Sequence, residues 1–187
     1  MTDSFFIEEF VYQISICRRC HLRVTPKWRI IRRMNMKIYI LYDYSGFAKD
    51  LYLRYKESGD RWLAPVFLRP VWISFLGFCI GHEIVLAPSS SEREFNPNLL
   101  MIESLGLRAH DDVFFKREGY RQMRRTKNER MEVVDAIKLG CMETILDKRV
   151  VLFDDVCTTG YTLKVCRDLI LEDVSSLKVF SLFCHDI

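Results

Sequence analysis

The chain has 187 residues, 49% of them hydrophobic, with a formal net charge of +3 and seven cysteines. That length suits one domain with at most a small appendage, and the apolar share excludes general disorder. A single close cysteine pair excludes a disulfide framework, no basic leader is visible at the N-terminus, and the longest apolar run, 71–81, is too short to span a bilayer, so reduced thiols in a cytoplasmic protein are expected.

Residues 1–36 differ in character from the rest of the chain. Asp3 or Ser4 is placed to cap a short amphipathic helix running through Ile14. Then comes Cys17-Arg-Arg-Cys20-His21. This is the spacing of haem c attachment, but that chemistry needs export. A zinc knuckle needs four ligands, and no second Cys-x-x-Cys is found downstream, so Cys17 and Cys20 are weak zinc candidates and zinc is not expected. Two thiols without metal is the simplest reading; a redox pair is the alternative. Between Cys17 and Lys37 there are eight Lys or Arg and no acidic residue. Interleaved with Trp28, Ile30 and Ile31, that charge suits a nucleic-acid backbone, and an ordinary basic surface equally well.

Loose alternation of Ile38, Ile40, Tyr42 and Tyr44 predicts a strand over 37–44. Gly46 then opens an amphipathic helix over 47–56 with Leu51 and Tyr55 on one face. Gly59 stops it, and Asp60 is expected to cap the next helix. Pro65 falls near that helix's first turn, where it is tolerated; Pro70 breaks it, and helix resumes over 71–78. The first core strand is expected at 83–87, a helix from Pro97 through Leu105, and a short second strand at 112–115. Residues 116–130 carry seven Lys or Arg against two Glu and read as a mobile basic loop. A last, strongly alternating strand is expected at 178–183. Strands separated by helical segments imply an α/β fold with parallel pairing.

The organising stretch is 149–163. Val150, Val151, Leu152 and Phe153 form a short continuous apolar run, which reads as a strand buried on both faces. Asp154 and Asp155 come at once after it, then Thr158-Thr159-Gly160. After Gly160 the apolar period becomes helical, with Leu163, Cys166, Leu169 and Ile170. A turn into a helix N-terminus offers backbone N–H groups and partial positive charge to an anion, and Gly160 permits close approach. Thr158, Thr159 and Thr162 add hydroxyls. The two carboxylates repel a phosphate, but accept hydrogen bonds from sugar hydroxyls or hold Mg²⁺ through water. Strand neighbours point to opposite faces, so both carboxylates reach one ligand only if the chain is already curling there.

This stretch resembles the signature for phosphoribosyl pyrophosphate (PRPP) of type I phosphoribosyltransferases: an apolar run, then Asp-Asp-Val-x-Thr-Thr-Gly-x-Thr. The resemblance implies a type I phosphoribosyltransferase-like parallel sheet flanked by helices. It implies that Asp154 and Asp155 bind the ribose hydroxyls and serve catalysis. The residues from Cys157 through Thr158, Thr159, Gly160 and Tyr161 to Thr162 would wrap the 5′-phosphate, with Val156 in the same PRPP-binding stretch. Across residues 37–187 the chain further resembles the ComF family of competence proteins. Its landmarks are Tyr44-Ser-Gly46, Tyr55-Lys56, Gly59-Asp60, Ala87-Pro88 with Arg93, Phe95 and Asn96, and Gln122 followed by Arg130. Departures are Glu94 for the loop Gly, Pro97 near an expected Gln, Val133 for a frequent Asn, and one Cys pair where the family usually carries a zinc ribbon. The expected organisation is therefore an N-terminal appendage over 1–36, a partial zinc-ribbon remnant, and a phosphoribosyltransferase-like domain over 37–187.

As an enzyme, such a protein would use Mg²⁺ with PRPP. Arg93, Lys116, Arg117 and Arg121 are the candidate pyrophosphate partners; taken singly, each reads first as a solvated surface charge. No residue can be named as a base for the acceptor, and the acceptor is not legible. The other reading is a non-catalytic accessory of DNA uptake that senses PRPP or a nucleotide. Single-stranded DNA, a competence helicase and a second copy of the chain are its candidate partners.

Overall fold

The structure is a computed structural model and describes residues 16–89, 95–116 and 137–185. Its centre is a five-stranded sheet in the order β1 (Arg29–Arg33), β2 (Met36–Asp43), β7 (Ser176–Cys184), β6 (Arg149–Cys157), β3 (Glu83–Leu86). β1 and β2 pair antiparallel, and every other neighbour is parallel. The sheet is thus mixed but mostly parallel, with helices on both faces, an arrangement compatible with the expected α/β class.

β6 is buried on both faces, as its apolar run predicts. Val150, Val151, Leu152 and Phe153 are all fully buried. They alternate between two layers: Val151 and Phe153 join one apolar cluster, Val150 and Leu152 the other. The first layer holds α2 (Gly46–Glu57), α3 (Ala64–Leu68), α4 (Trp72–Cys79) and α5 (Pro97–Glu103), and is rich in aromatic rings. The second holds α6 (Tyr161–Ile170) and is built from aliphatic side chains and thiols.

Several elements fall where the residue pattern places them. α2 buries Leu51, Tyr52 and Tyr55 on one face. Pro70 sits in a 3-10 turn, Arg69–Val71, that separates α3 from α4. Asn96 caps α5, accepting from the Asn98 and Leu99 N–H groups, with Pro97 in the first turn. Asp60 makes no capping bond to the turn after it. The stretch Arg61–Cys79 is the one among the described residues long and apolar enough to cross a membrane; it is broken by 3-10 turns, and Leu63, Val66, Phe67, Leu68 and Phe75 pack into the core.

Two expectations need correction. The strand expected at 112–115 is β4 (Phe114–Lys116), and it does not continue the main sheet. It pairs antiparallel with β5 (Ile137–Leu139) in a separate ribbon. The strand expected at 178–183 is β7, and it lies between β2 and β6. Its polar residues are satisfied locally: Lys178 Nζ donates to the Phe78 carbonyl at 2.8 Å and Ser181 Oγ to the Phe183 carbonyl at 2.9 Å. Finally, β1 lies N-terminal to the expected boundary at 36/37, yet it is the edge strand of the main sheet. Residues 29–36 belong to that sheet. The expected helix through Ile14 and the loop beyond Lys116 lie outside the described residues.

Candidate functional site

The C-terminal end of β6 carries the site. β3 ends at Leu86, opposite Phe153, and the Ala87 N–H closes that side with a bond to the Phe153 carbonyl at 2.8 Å. Beyond it the Asp155 N–H has no β3 residue to meet. It donates instead to Asp154 Oδ1 at 2.9 Å, and the Val156 N–H donates to Asp155 Oδ1 at 2.8 Å. On its other side β6 stays in register with β7 as far as Cys157 against Cys184.

The register with β7 passes over Asp155, and the alternation of faces breaks there: Phe153 and Val156 both pack on the aromatic layer, while Leu152 and Cys157 both belong to the aliphatic one. Asp155 continues the Val151 and Phe153 series into the aromatic layer. There its Oδ2 accepts both the Tyr52 hydroxyl and Lys56 Nζ, the latter as an ion pair. Tyr52 and Lys56 are four apart on α2 and so share a face. Tyr52 is fixed by packing, with its ring 4.9 Å from Phe183 and 5.8 Å from Phe67. Asp154 lies beside Asp155: the two carboxyls hydrogen-bond each other, and the Asp154 charge acts on Tyr52 as well as on the Cys157 and Cys166 thiols.

The electrostatics separate the pair. Burial works to raise both carboxyls. For Asp155 the Lys56 charge and the hydrogen bonds from Lys56 and Tyr52 outweigh burial and hold it below the usual carboxylate range. For Asp154 burial is joined by the neighbouring Asp155 charge, and together they push it up to about 7 against the pull of Lys56. Burial likewise pushes the Cys157 thiol up to about 12.

The turn is the accessible part. Thr158 and Thr159 are exposed, while Gly160 is buried with φ +81°, a left-handed conformation that side chains disfavour. The first helical bond of α6 runs from the Lys164 N–H to the Gly160 carbonyl at 2.9 Å. Tyr161 and Thr162 open that helix and are half-buried. Arg33 of β1 braces the turn from beneath: one guanidinium nitrogen donates to the Thr158 carbonyl, the other to the His185 carbonyl at 2.9 Å. The His185 N–H in turn donates to the Cys157 carbonyl at 3.0 Å.

The structure therefore brings together residues 154–162, and adds Tyr52, Lys56, Arg33 and His185 around them. Lys56 had a signal in the sequence as a family landmark, and Tyr52 as its neighbour at helical spacing. Arg33 and His185 had none. Lys116 ends β4 near α6, where its charge acts on the Cys166 thiol. Arg93, Arg117 and Arg121 lie outside the described residues. Cys17 stands at the N-cap of the short helix α1 (Arg18–His21) and Cys20 lies within it, away from the turn in sequence and without a bond to it among the described residues. Hydrogen bonds from the Cys20 N–H and side chain lower the exposed Cys17 thiol, and Cys20 is raised in return. Among the described residues no three His, Cys, Asp or Glu side chains form a group able to hold a metal ion.

Comparison with known proteins gives two relatives. The chain is 30% identical over 152 residues to the competence protein ComFC of Streptococcus pneumoniae, an alignment covering 76% of this chain and 66% of that protein. It is 26% identical over 176 residues to the competence protein ComFC of Bacillus subtilis, covering 89% of this chain and 70% of that protein. The chain thus spans about two thirds of the length of these relatives. No family model matches it.

Proposed function

We propose, for a chain whose alignments support a place in the ComF family of competence proteins, a PRPP-binding function in DNA uptake at the end of β6. The observation that carries this reading is the joining of two unlike subsites within nine residues. A glycine turn opens a helix and offers N–H groups to a phosphate, and a carboxylate directly before it offers acceptors to a sugar diol. A phosphorylated ribose is the ligand class that needs both. Thr158 to Thr162 hold the 5′-phosphate, and Asp154 and Asp155 serve the ribose side.

Magnesium fits this donor set. Asp154 and Asp155 present their carboxyls side by side, and a nearby cation would favour the charged form of Asp154. Bound with the pyrophosphate, Mg²⁺ would neutralise the leaving group. The protein's own part is to fix the ribose, hold the phosphate by the turn and exclude water from C1′. The transferase acceptor is unassigned. Calorimetry with PRPP and Mg²⁺ tests the reading: binding that inorganic phosphate displaces is expected, and no heat at millimolar PRPP would refute it.

A second reading has its own observation. Lys27, Arg32 and Lys37 are exposed around the β1 edge. Beside them lies a groove of about 440 Å³ lined by Trp28, Arg29, Ile30, Tyr39, Ser74 and Phe78. Trp28 is 38% exposed there and can stack a base. Single-stranded DNA at this edge, in an accessory that hands DNA to a helicase, is the non-catalytic alternative. Retained DNA binding without any PRPP turnover would favour it.

A further inference from the structure

We propose that β1 is a docking edge: it takes up an extended acidic segment of a partner protein as a sixth strand of the main sheet, with one apolar side chain of that segment seated in the groove beside Trp28. Such a surface is independent of the phosphoribosyl reading. The two edges of the sheet differ. The β3 edge is closed by the segment around His110: the Leu86 N–H donates to the His110 carbonyl at 2.9 Å, and the His110 N–H to the Ile84 carbonyl at 2.8 Å. Among the described residues no strand pairs with the outer side of β1.

The hairpin register fixes which backbone groups face outward. β1 turns into β2 through Met34 and Asn35, both with positive φ, and Arg33 stands opposite Met36. In such a two-residue hairpin the pair flanking the turn exchanges both of its backbone bonds, and bonded pairs then alternate with open ones. Arg29, Ile31 and Arg33 therefore direct their N–H and C=O groups to β2. The Lys27 N–H keeps the same sense, donating to the Leu41 carbonyl at 2.7 Å. Ile30 and Arg32 point two N–H and two C=O groups outward, the pattern that strand addition uses. The same two residues are the exposed ones of the strand, with Ile30 53% exposed.

The side chains on that face decide the occupant. Ile30 stands opposite Tyr39 and shares the groove with Trp28, Ser74 and Phe78. Trp28 is held by the Phe78 ring at 5.7 Å and the Phe180 ring at 5.6 Å, so the groove is preformed. Two positions along the same face the surface turns basic: Arg32 stands opposite Lys37, and both are exposed. An incoming strand places every second side chain on this face. The matching strand thus has an apolar residue against Ile30 and a carboxylate two positions away, against Arg32 and Lys37. A second copy of β1 does not match, because it brings three arginines in five residues against three. A nucleic-acid backbone suits the charges, but it offers no donor to the two outward carbonyls and no aliphatic side chain to the groove.

The test is fluorescence anisotropy on the full chain with a labelled, capped peptide, Thr-Glu-Thr-Val-Thr-Glu-Thr. When extended it puts valine between two glutamates on one face, so it meets Ile30 and Arg32 whichever way it runs. The wild type should bind it. Affinity should fall about tenfold or more when the amides facing β1 are N-methylated, and about as much when both glutamates are replaced by glutamine. These peptide controls need no variant to fold. Arg32→Glu should weaken the acidic peptide about tenfold and favour the same peptide carrying lysines in place of its glutamates. Ile30→Pro removes one outward N–H, at a position where an edge strand tolerates proline, and should weaken the acidic peptide about fivefold. Equal affinity for the plain and methylated peptides would overturn the proposal, since charge alone would then hold the peptide. So would an Arg32→Glu variant that keeps the wild-type preference. If the wild type binds oligothymidylate but no peptide, and Arg32→Glu abolishes that binding, the edge is a nucleic-acid surface instead. If the wild type dimerises and Ile30→Pro makes it monomeric, the edge belongs to a second copy of the chain.

Discussion

The two faces of β6 are loaded differently. Toward α2–α5 it meets Tyr42, Tyr52, Tyr55, Phe67, Phe75, Phe180 and Phe183, whose phenols find partners inside the layer: Tyr42 donates to the Phe67 carbonyl at 2.8 Å and Tyr55 to the Pro97 carbonyl at 2.6 Å. Toward α6 it meets Ile38, Ile40, Leu163, Ile170 and the thiols of Cys157, Cys166 and Cys184. The adjacent aspartates at the end of β6 hydrogen-bond each other, yet acquire opposite character. Asp155 enters a layer with a hydroxyl and an ammonium waiting for it, and is held ionised. Asp154, buried beside that charge, is pushed toward neutrality. Identity and sequence position do not decide what a carboxylate can do; the donors and charges beside it do.

The largest way to break this contrast is to remove the donor. Lys56→Met strands a buried carboxylate and should cost roughly 3–5 kcal/mol at pH 7–8, measured by urea unfolding. Lys56→Met with Asp155→Leu should recover much of that loss, because the pair leaves together. The stabilising share of Asp155, whose carboxyl is depressed in the fold, is present above its unfolded value of 3.8 and is lost only as pH falls below that value toward its folded pKa.

Asp154 should behave oppositely. Its carboxyl rises from 3.8 unfolded to about 7 folded, so the folded protein binds the extra proton between those values. Ligand-free stability should therefore fall as pH rises from 4 to 7, with the penalty complete above 7. Asp154→Asn removes it. The variant should exceed wild type by on the order of 2–4 kcal/mol at pH 8, and the gap should close on acidification toward pH 4. Thermal unfolding over that range measures it. A gap independent of pH would remove Asp154 as its source.

Tyr52→Phe sharpens the comparison within the aromatic layer. The ring packing survives and one charge-assisted bond is lost, so about 1–2 kcal/mol of stability should go. At the sheet edge the effects are smaller. Arg32→Ala with Lys37→Ala should reduce the salt slope of single-stranded DNA binding by about 0.7 for each phosphate contact removed. Arg29 and Arg33 are poor probes of that surface, since Arg29 pairs with Asp43 at 2.6 Å and Arg33 braces the Thr158 turn. An unchanged slope in the double variant would place DNA elsewhere on the protein.

What could be read from the sequence was local. The apolar run of β6, the glycine turn and the period of α6 announce themselves within about twenty residues, and α2 and the Pro70 break are equally local. What could not be read depends on distant pairing. Arg29-Ile-Ile-Arg-Arg33 reads as basic surface, and becomes an edge strand because β2 offers it a partner. The alternation over 178–183 announces a strand, but its central place comes from β2 and β6 closing on both sides of it. The Tyr52–Asp155 bond joins residues 103 apart, a contact for which helix periodicity supplies only half the information.

The most direct test of the central claim is calorimetry of PRPP with Mg²⁺ on wild type and on the variant carrying Asp154→Asn and Asp155→Asn together. A lost charge-assisted hydrogen bond is worth about 1.5–3 kcal/mol, so PRPP affinity should fall at least about tenfold in the variant. Inorganic phosphate should bind as well or slightly better, because two negative charges near the turn are gone. Unchanged PRPP affinity in the variant would contradict the assignment of the ribose side of the site, and with it the function proposed for the chain.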